Sequence, residues 1–116
     1  MSLHDKQWQP VCSQADLVKN SGVCVLVNED ANTEQQVAIF SIDDSQVYAV
    51  GNWDPIGKAN VLYRGIIGSL GGEPVVASPL YKQHFSLISG ACKEDPEVSI
   101  PAFEVRLVNG NVEIFC

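Results

Sequence analysis

Phe103-Glu104-Val105-Arg106-Leu107-Val108-Asn109-Gly110-Asn111-Val112-Glu113-Ile114-Phe115 decides the fold class of this chain. Phe103, Val105 and Leu107 alternate with Glu104 and Arg106, and Val112 and Ile114 resume the same period beyond Asn109-Gly110. A period of two sends successive side chains to opposite faces, so each run is a strand with one buried and one wet face. Asn-Gly tolerates the positive φ of a tight hairpin, which joins the runs as an antiparallel pair. Working outward, the same grammar recurs: apolar runs at Trp8–Cys12, Val23–Asn28, Gln36–Ile42, Gln46–Gly51, Gly65–Leu70, Glu73–Ser78 and Phe85–Ile88, with Asp43-Asp44-Ser45 and Gly71-Gly72 as further turns. Many short strands at close spacing predict an all-β antiparallel sandwich or barrel. A single short helix is expected, of one or two turns over Ser13–Lys19, opening on a capping serine and stopped by Asn20-Ser21-Gly22.

The chain has 116 residues, which suits one domain with a self-sufficient core. No apolar stretch approaches the roughly 20 residues of a membrane helix, and Met1–Gln7 has neither an apolar run nor a small-residue cleavage site, so the expected location is cytoplasmic. A net charge of −7 argues against nucleic acid, whose partners present a basic face. The acidic groups Glu29, Asp30 and Glu34, Asp43 and Asp44, and Glu94, Asp95 and Glu97 read as solvated turns. Cys12, Cys24, Cys92 and Cys116 lack any C-x-x-C or Cys/His cluster and read as structural thiols, with Cys24 in the core and Cys116 exposed.

Two segments break the strand grammar. Asn52–Gly65 carries Trp53, Asp54, Pro55, Lys58, Tyr63 and Arg64 without alternation, and loops of that length are commonly sites. Ser78–Gly90 opens on Ser78-Pro79-Leu80-Tyr81-Lys82. Taken singly, these residues read blandly. Asp54 before Pro55 is turn chemistry and has no partner carboxylate for acid–base work. Ser78 lacks a neighbouring base. His4 lies in the tail, and His84 is expected to point outward beside Ser86 as Phe85 and Leu87 turn inward. Gly71-Gly72 precedes no helix and does not cradle phosphate. Collectively they say more. Three of the seven Lys and Arg residues, Lys58, Arg64 and Lys82, fall in these loops, opposed only by Asp54. Trp53, Tyr63 and Tyr81 accompany them, the residue types of interface anchors. The aromatics have a second reading, as filler of a vacated cofactor volume, and both readings stand.

Asn52-x-Asp54-Pro55, Val61-Leu62-x-Arg64-Gly65, Val75-Val76-Ala77-Ser78-Pro79-Leu80-x-Lys82-Gln83-x-Phe85-x-Leu87 and Gly90-x-Cys92-x-Glu94-Asp95 together resemble a Rieske-type domain over nearly the whole chain. The closer resemblance is to the small-subunit family of NADH-dependent nitrite reductase. A Rieske [2Fe-2S] centre takes two Cys and two His, as a Cys-x-His and a Cys-x-x-His pair. Here Asp54 and Ile56 fall at the first pair and Ser78 and Tyr81 at the second, so the metal ligands are replaced at all four positions. The resemblance implies a three-sheet antiparallel β sandwich, with residues 1–7 a flexible tail, 8–116 the Rieske-like domain and 52–90 a small subdomain carrying the two loops. It implies no cofactor on this chain, and a large catalytic subunit as partner, carrying sirohaem, an iron–sulfur cluster and FAD and reducing nitrite to ammonium with NADH. Trp53, Lys58, Tyr63, Arg64, Tyr81 and Lys82 are the expected partner interface, and no catalytic residue is expected. The rival readings are a stand-alone Rieske-type ferredoxin carrier, which needs a bound cluster, and an interaction module without redox connection.

Overall fold

The computed structural model of the protein describes residues 7–30, 33–42 and 46–116. Eleven strands are seen among them: β1 Trp8–Ser13, β2 Ser21–Asp30, β3 Thr33–Ser41, β4 Val47–Gly51, β5 Trp53–Asp54, β6 Ala59–Asn60, β7 Ile66–Leu70, β8 Glu73–Ala77, β9 His84–Ser86, β10 Ala102–Val108 and β11 Asn111–Phe115. They build a six-stranded sheet in the order β1-β11-β10-β4-β3-β2, a three-stranded sheet β7-β8-β9 and a small β5-β6 pair. Every named strand pair is antiparallel.

The large sheet divides at β10, whose Ala102 and Phe103 pair with β4 while Glu104–Val108 pair with β11. The β1-β11-β10 part and the β4-β3-β2 part therefore become two layers, and β7-β8-β9 forms a third. β3 shows why. Val37, Ala38, Ile39 and Phe40 have no solvent exposure. Val37 and Ile39 join Val112 and Ile114 of β11 in one apolar cluster, whereas Ala38 and Phe40 join Val76 of β8 and Phe85 of β9 in the other. A strand buried on both faces is the middle of three layers. Burying Phe40 alone contributes about 2–3 kcal/mol.

The two expected glycine hairpins form. Asn109 and Gly110 have φ of 51° and 81°, and Gly71 and Gly72 have φ of 59° and 83°, the double positive-φ pattern of a type I′ turn. Glu113 and Arg106 on the outer face of the C-terminal hairpin bond through Oε1 and Nε at 2.7 Å, and the Arg106 guanidinium stacks 4.2 Å from the Trp8 ring. The Asp43-Asp44-Ser45 turn and His4 lie outside the described residues.

Several expectations are corrected. The helix at Ser13–Lys19 is one 3-10 turn, Gln14–Asp16, closed by a capping box in which Ser13 accepts from the Ala15 amide and Asp16 accepts from the Ser13 amide. Leu17 leaves it in extended conformation and carries its side chain onto the apolar cluster beneath β11. Tertiary burial ends the helix before its expected stop at Asn20-Ser21-Gly22. Gln7, placed in the tail by the sequence, exchanges both backbone hydrogen bonds with Cys116 at 3.1 Å. That ladder and the surrounding cluster bury Cys116, which was expected to be exposed. Cys24 is exposed instead of buried. On β2, Val23, Val25 and Val27 face the second cluster, so Cys24 and Leu26 face the other way, at the end of the sheet order and beyond the cover of the third sheet.

Candidate functional site

Asn52 anchors the first loop. It is fully buried, and its amide accepts from Tyr63 N at 2.7 Å and donates to Gln36 Oε1 at 3.0 Å. Its backbone donates to Gln36 O, and its carbonyl accepts from Leu62 N. One side chain thus ties the end of β4 to β3 and to a second 3-10 turn, Leu62–Arg64, which periodicity did not signal. Leu62 drops from that turn into the core, and Tyr63 packs partly buried against the same cluster. Gly22 permits the close approach: a Cβ there would lie 2.5 Å from the Tyr63 carbonyl. The Asn52 amide also lies 3.6 Å from Cys24 Sγ, and partial burial there raises the Cys24 thiol above its ordinary pKa.

Within the loop, Trp53 and Asp54 pair with Asn60 and Ala59, two bridges too short to show a sequence period. Asp54 Oδ1 accepts from the amides of Ile56 at 2.8 Å and Gly57 at 3.0 Å. The Asp54 carbonyl accepts from Lys58 N at 2.7 Å, and Lys58 closes the turn at φ 58°. The second loop repeats this design. Ser78 Oγ accepts from Leu80 N at 3.3 Å, the Ser78 carbonyl accepts from Lys82 N at 3.0 Å, and Lys82 sits at φ 63°. Both turns therefore have a polar hub, a proline one residue on and a left-handed lysine four residues on.

The hubs meet. Ser78 Oγ donates to Asp54 Oδ2, and the two residues are 1% and 0% exposed. Leu80 of one loop covers Gly57 of the other so closely that a Cβ at Gly57 would fall 2.4 Å from Leu80 Cδ1. This corrects the sequence reading of Asp54 and Ser78 as separate turn residues without partners. Buried and mutually bonded, they form a clip between the loops. The repeated Pro and Lys spacing was the signal available in the sequence.

This donor set does not fit a [2Fe-2S] cluster. At the positions set against the ligands there are a carboxylate and a hydroxyl already bonded to each other, an aliphatic Ile56 packed on the core, and a phenol, Tyr81, 65% exposed. Two irons of such a centre require soft thiolates and imidazoles. Among the described residues no three His, Cys, Asp or Glu side chains gather where they could hold a metal ion.

Around the clip the surface is mixed. Trp53 is 49% exposed and Leu80 45%, and Lys58, Arg64 and Lys82 are exposed as well. The aromatics differ in exposure: Tyr63 packs partly buried against the core cluster, Trp53 is half exposed, and Tyr81 is 65% exposed. Among the described residues, none of Lys58, Arg64 and Lys82 is ion-paired with a carboxylate; the ion pairs there are His84–Glu94, Lys93–Glu73 and Arg106–Glu113.

Sequence reasoning also missed what braces the second loop. Ser86, expected outside with His84, is fully buried and caps the following turn, accepting from Ile88 N and Ser89 N and donating to Glu73. Lys93 and then Ser86 hydrogen-bond Glu73 and hold its pKa below the usual carboxylate range. Glu94, read from sequence as solvated, accepts from His84 N at 2.8 Å and meets its Nδ1 at 2.6 Å. The His84 amide is the main cause of its lowered pKa.

Residues 7–115 match the Rieske-like [2Fe-2S] domain family. The chain is 40% identical to the nitrite reductase (NADH) small subunit of Escherichia coli strain K12 over 109 residues, covering 93% of this chain and 96% of that one. Its fold superposes on the NMR structure of the Escherichia coli protein NirD with a TM-score of 0.83, at 39% identity over 96% of this chain and 97% of that one. It is also 38% identical, over 96% of its length, to 11% of the nitrite reductase [NAD(P)H] large subunit of Klebsiella oxytoca. The chain belongs to the Rieske-like domain family and, within it, to the small subunits of NADH-dependent nitrite reductase.

Proposed function

We propose that this chain is a non-catalytic subunit that supports the large, sirohaem-, iron–sulfur- and FAD-bearing subunit of a cytoplasmic nitrite reductase through protein contacts made by the loop tip. The observation that carries the reading is the Asp54–Ser78 clip: the end of the fold where a Rieske domain presents its cluster is closed by a hydrogen bond. What remains there for function is the surface, with Trp53 and Tyr81 as apolar contacts and Lys58, Arg64 and Lys82 as uncompensated charge on an acidic protein. The Klebsiella oxytoca large subunit supports the partner assignment, because a segment similar to nearly the whole of this chain lies within that polypeptide. Covalent linkage holds two partners at high effective concentration, and a separate subunit must replace that linkage with an interface.

Expression of the large subunit with and without this chain tests the proposal. Nitrite-dependent NADH oxidation should require both, the chain should co-purify with the large subunit, and the chain alone should turn over neither substrate. Full activity of the large subunit alone would remove the supporting role, and turnover by the isolated chain would remove the non-catalytic one.

A further inference from the structure

Beside the clip, on the flank formed by the start of β7 and the second loop, lies a groove of about 440 Å3. Arg64, Lys82, His84 and Ser78 line it with polar groups, and Ile66, Ala77 and Pro79 supply its apolar surface. Ile66 is 76% exposed at the first position of β7, the end strand of its sheet. An isoleucine in that position contributes nothing to the fold's core. The cations are arranged for use. Arg64 Nε donates to the Tyr63 hydroxyl at 3.0 Å and its guanidinium lies 5.6 Å from the Tyr63 ring, which orients the side chain while its terminal nitrogens have no partner among the described residues. Lys82 is fixed at the base by its left-handed turn. Two carboxylates bond to residues that line the groove, and both are engaged: Glu94 by the amide and ring of His84, and the buried Asp54 by the Ser78 hydroxyl and the loop amides.

A guanidinium held at its Nε with its outer edge open matches a carboxylate, which it takes through two parallel hydrogen bonds, and a nearby ammonium adds a point charge to the same anion. We propose that this groove receives an acidic side chain of the large subunit, with an apolar neighbour of that residue lying on Ile66 and Pro79. The proposal rests on tip docking and narrows it to one flank and one partner chemistry. Charge complementarity selects this occupant: two unpaired cations border an apolar surface on a chain of net charge −7, which would repel a second copy of itself.

Zero-length carbodiimide coupling of the complex tests it, because the reagent joins an amine only to a carboxylate already in contact. The chain's five amine side chains, Lys6, Lys19, Lys58, Lys82 and Lys93, are distinguishable by peptide mass. The Lys93–Glu73 contact supplies an internal control for the reagent. The expected product is an amide between Lys82 and an Asp or Glu of the large subunit. Arg64→Glu should weaken association about tenfold or more and reduce that product, with circular dichroism unchanged because the side chain is exposed. Coupling through Lys58 alone, with Arg64→Glu and Lys82→Glu binding normally, overturns the groove and leaves tip docking standing. Coupling only through Lys6, Lys19 or Lys93, with Trp53→Ala also binding normally, overturns both. If no intersubunit product forms, the two charge reversals decide: wild-type affinity at low salt overturns the groove.

Discussion

Breaking the clip from either side should cost more than a surface hydrogen bond, and breaking it from both sides should cost less than the sum. Asp54→Ala removes the acceptor of the Ile56 and Gly57 amides and of the Ser78 hydroxyl, at a site with no solvent exposure. Each buried donor left unsatisfied costs about 1–3 kcal/mol, and water entering beside the loop amides lowers the total, so about 3–5 kcal/mol of stability should be lost. Ser78→Ala strands one Asp54 oxygen and the Leu80 amide, a loss of about 2–3 kcal/mol. In the double variant the stranded partner is gone as well, so the two losses should overlap by about 1–2 kcal/mol. Asp54→Asn should be milder than Asp54→Ala, since its amide oxygen still accepts from the turn and its NH2 can donate to Ser78 Oγ. Urea unfolding of the four variants measures the cycle. Additivity within about 0.3 kcal/mol would show that the two loops are not coupled through this bond and would refute the clip.

Trp53→Ala should leave stability within about 1 kcal/mol of wild type, because the indole is half exposed, and should weaken association with the large subunit by about 2 kcal/mol; a loss of stability of the size seen for core aromatics would return Trp53 to the role of filler. The carboxyl groups of Glu73 and Glu94 have lowered pKa values in the folded chain, so their contribution is complete above the unfolded carboxylate value of about 4.3 and is lost as pH falls through the folded values. Thermal melts should therefore show an acid limb below about pH 4.5 that is shallower in Glu94→Gln, and an unchanged limb would break the assignment. Anaerobic reconstitution should leave the purified chain iron-free, and stoichiometric iron with absorption at about 400–600 nm would overturn the donor-set argument. Lys58→Gly and Lys82→Gly relieve left-handed backbone at about 1–2 kcal/mol each and lose about 0.5–1 to glycine's unfolded-state entropy, so each should raise stability slightly while weakening association. A loss of stability in both would mean that the lysine side chains serve the fold.

Legibility in the sequence followed the range of the interaction. The glycine hairpins at Gly71-Gly72 and Asn109-Gly110 were readable because their causes lie within a few residues: alternation on either side and residues that accept positive φ between. The three-layer stack was less so. Val37–Phe40 reads as one apolar run, and only the partners of β3 reveal that alternate residues enter different cores. The burial of Cys116 and exposure of Cys24 reversed expectation for the same reason, since both depend on what lies beyond a strand's end or edge. β5 and β6 have two residues each, below any period, and the 3-10 turn at Leu62–Arg64 is held by Asn52 from ten residues away. At the tip, the residue types were legible one by one, whereas the bond between Asp54 and Ser78 spans 24 residues.

The repeated turn orders the two loops through the chain's own groups. In each loop a hub side chain ties down the amides that follow it, a proline restricts the next φ, and a backbone bond from the fourth residue closes the turn. The hub-to-hub bond then fixes one turn against the other, and Leu80 lies directly over Gly57. Holding two non-glycine residues at positive φ costs energy that a purely structural turn avoids by using glycine, and strain of this kind is retained where the side chain is used. Lys58 and Lys82 stand at those two positions, exposed and without carboxylate partners among the described residues. A partner that meets them meets charges whose backbone is already ordered, so little conformational entropy is lost on docking. The buried clip and the exposed lysines are on this account one device: loosening Asp54 or Ser78 should weaken association as well as stability, although neither residue reaches the surface.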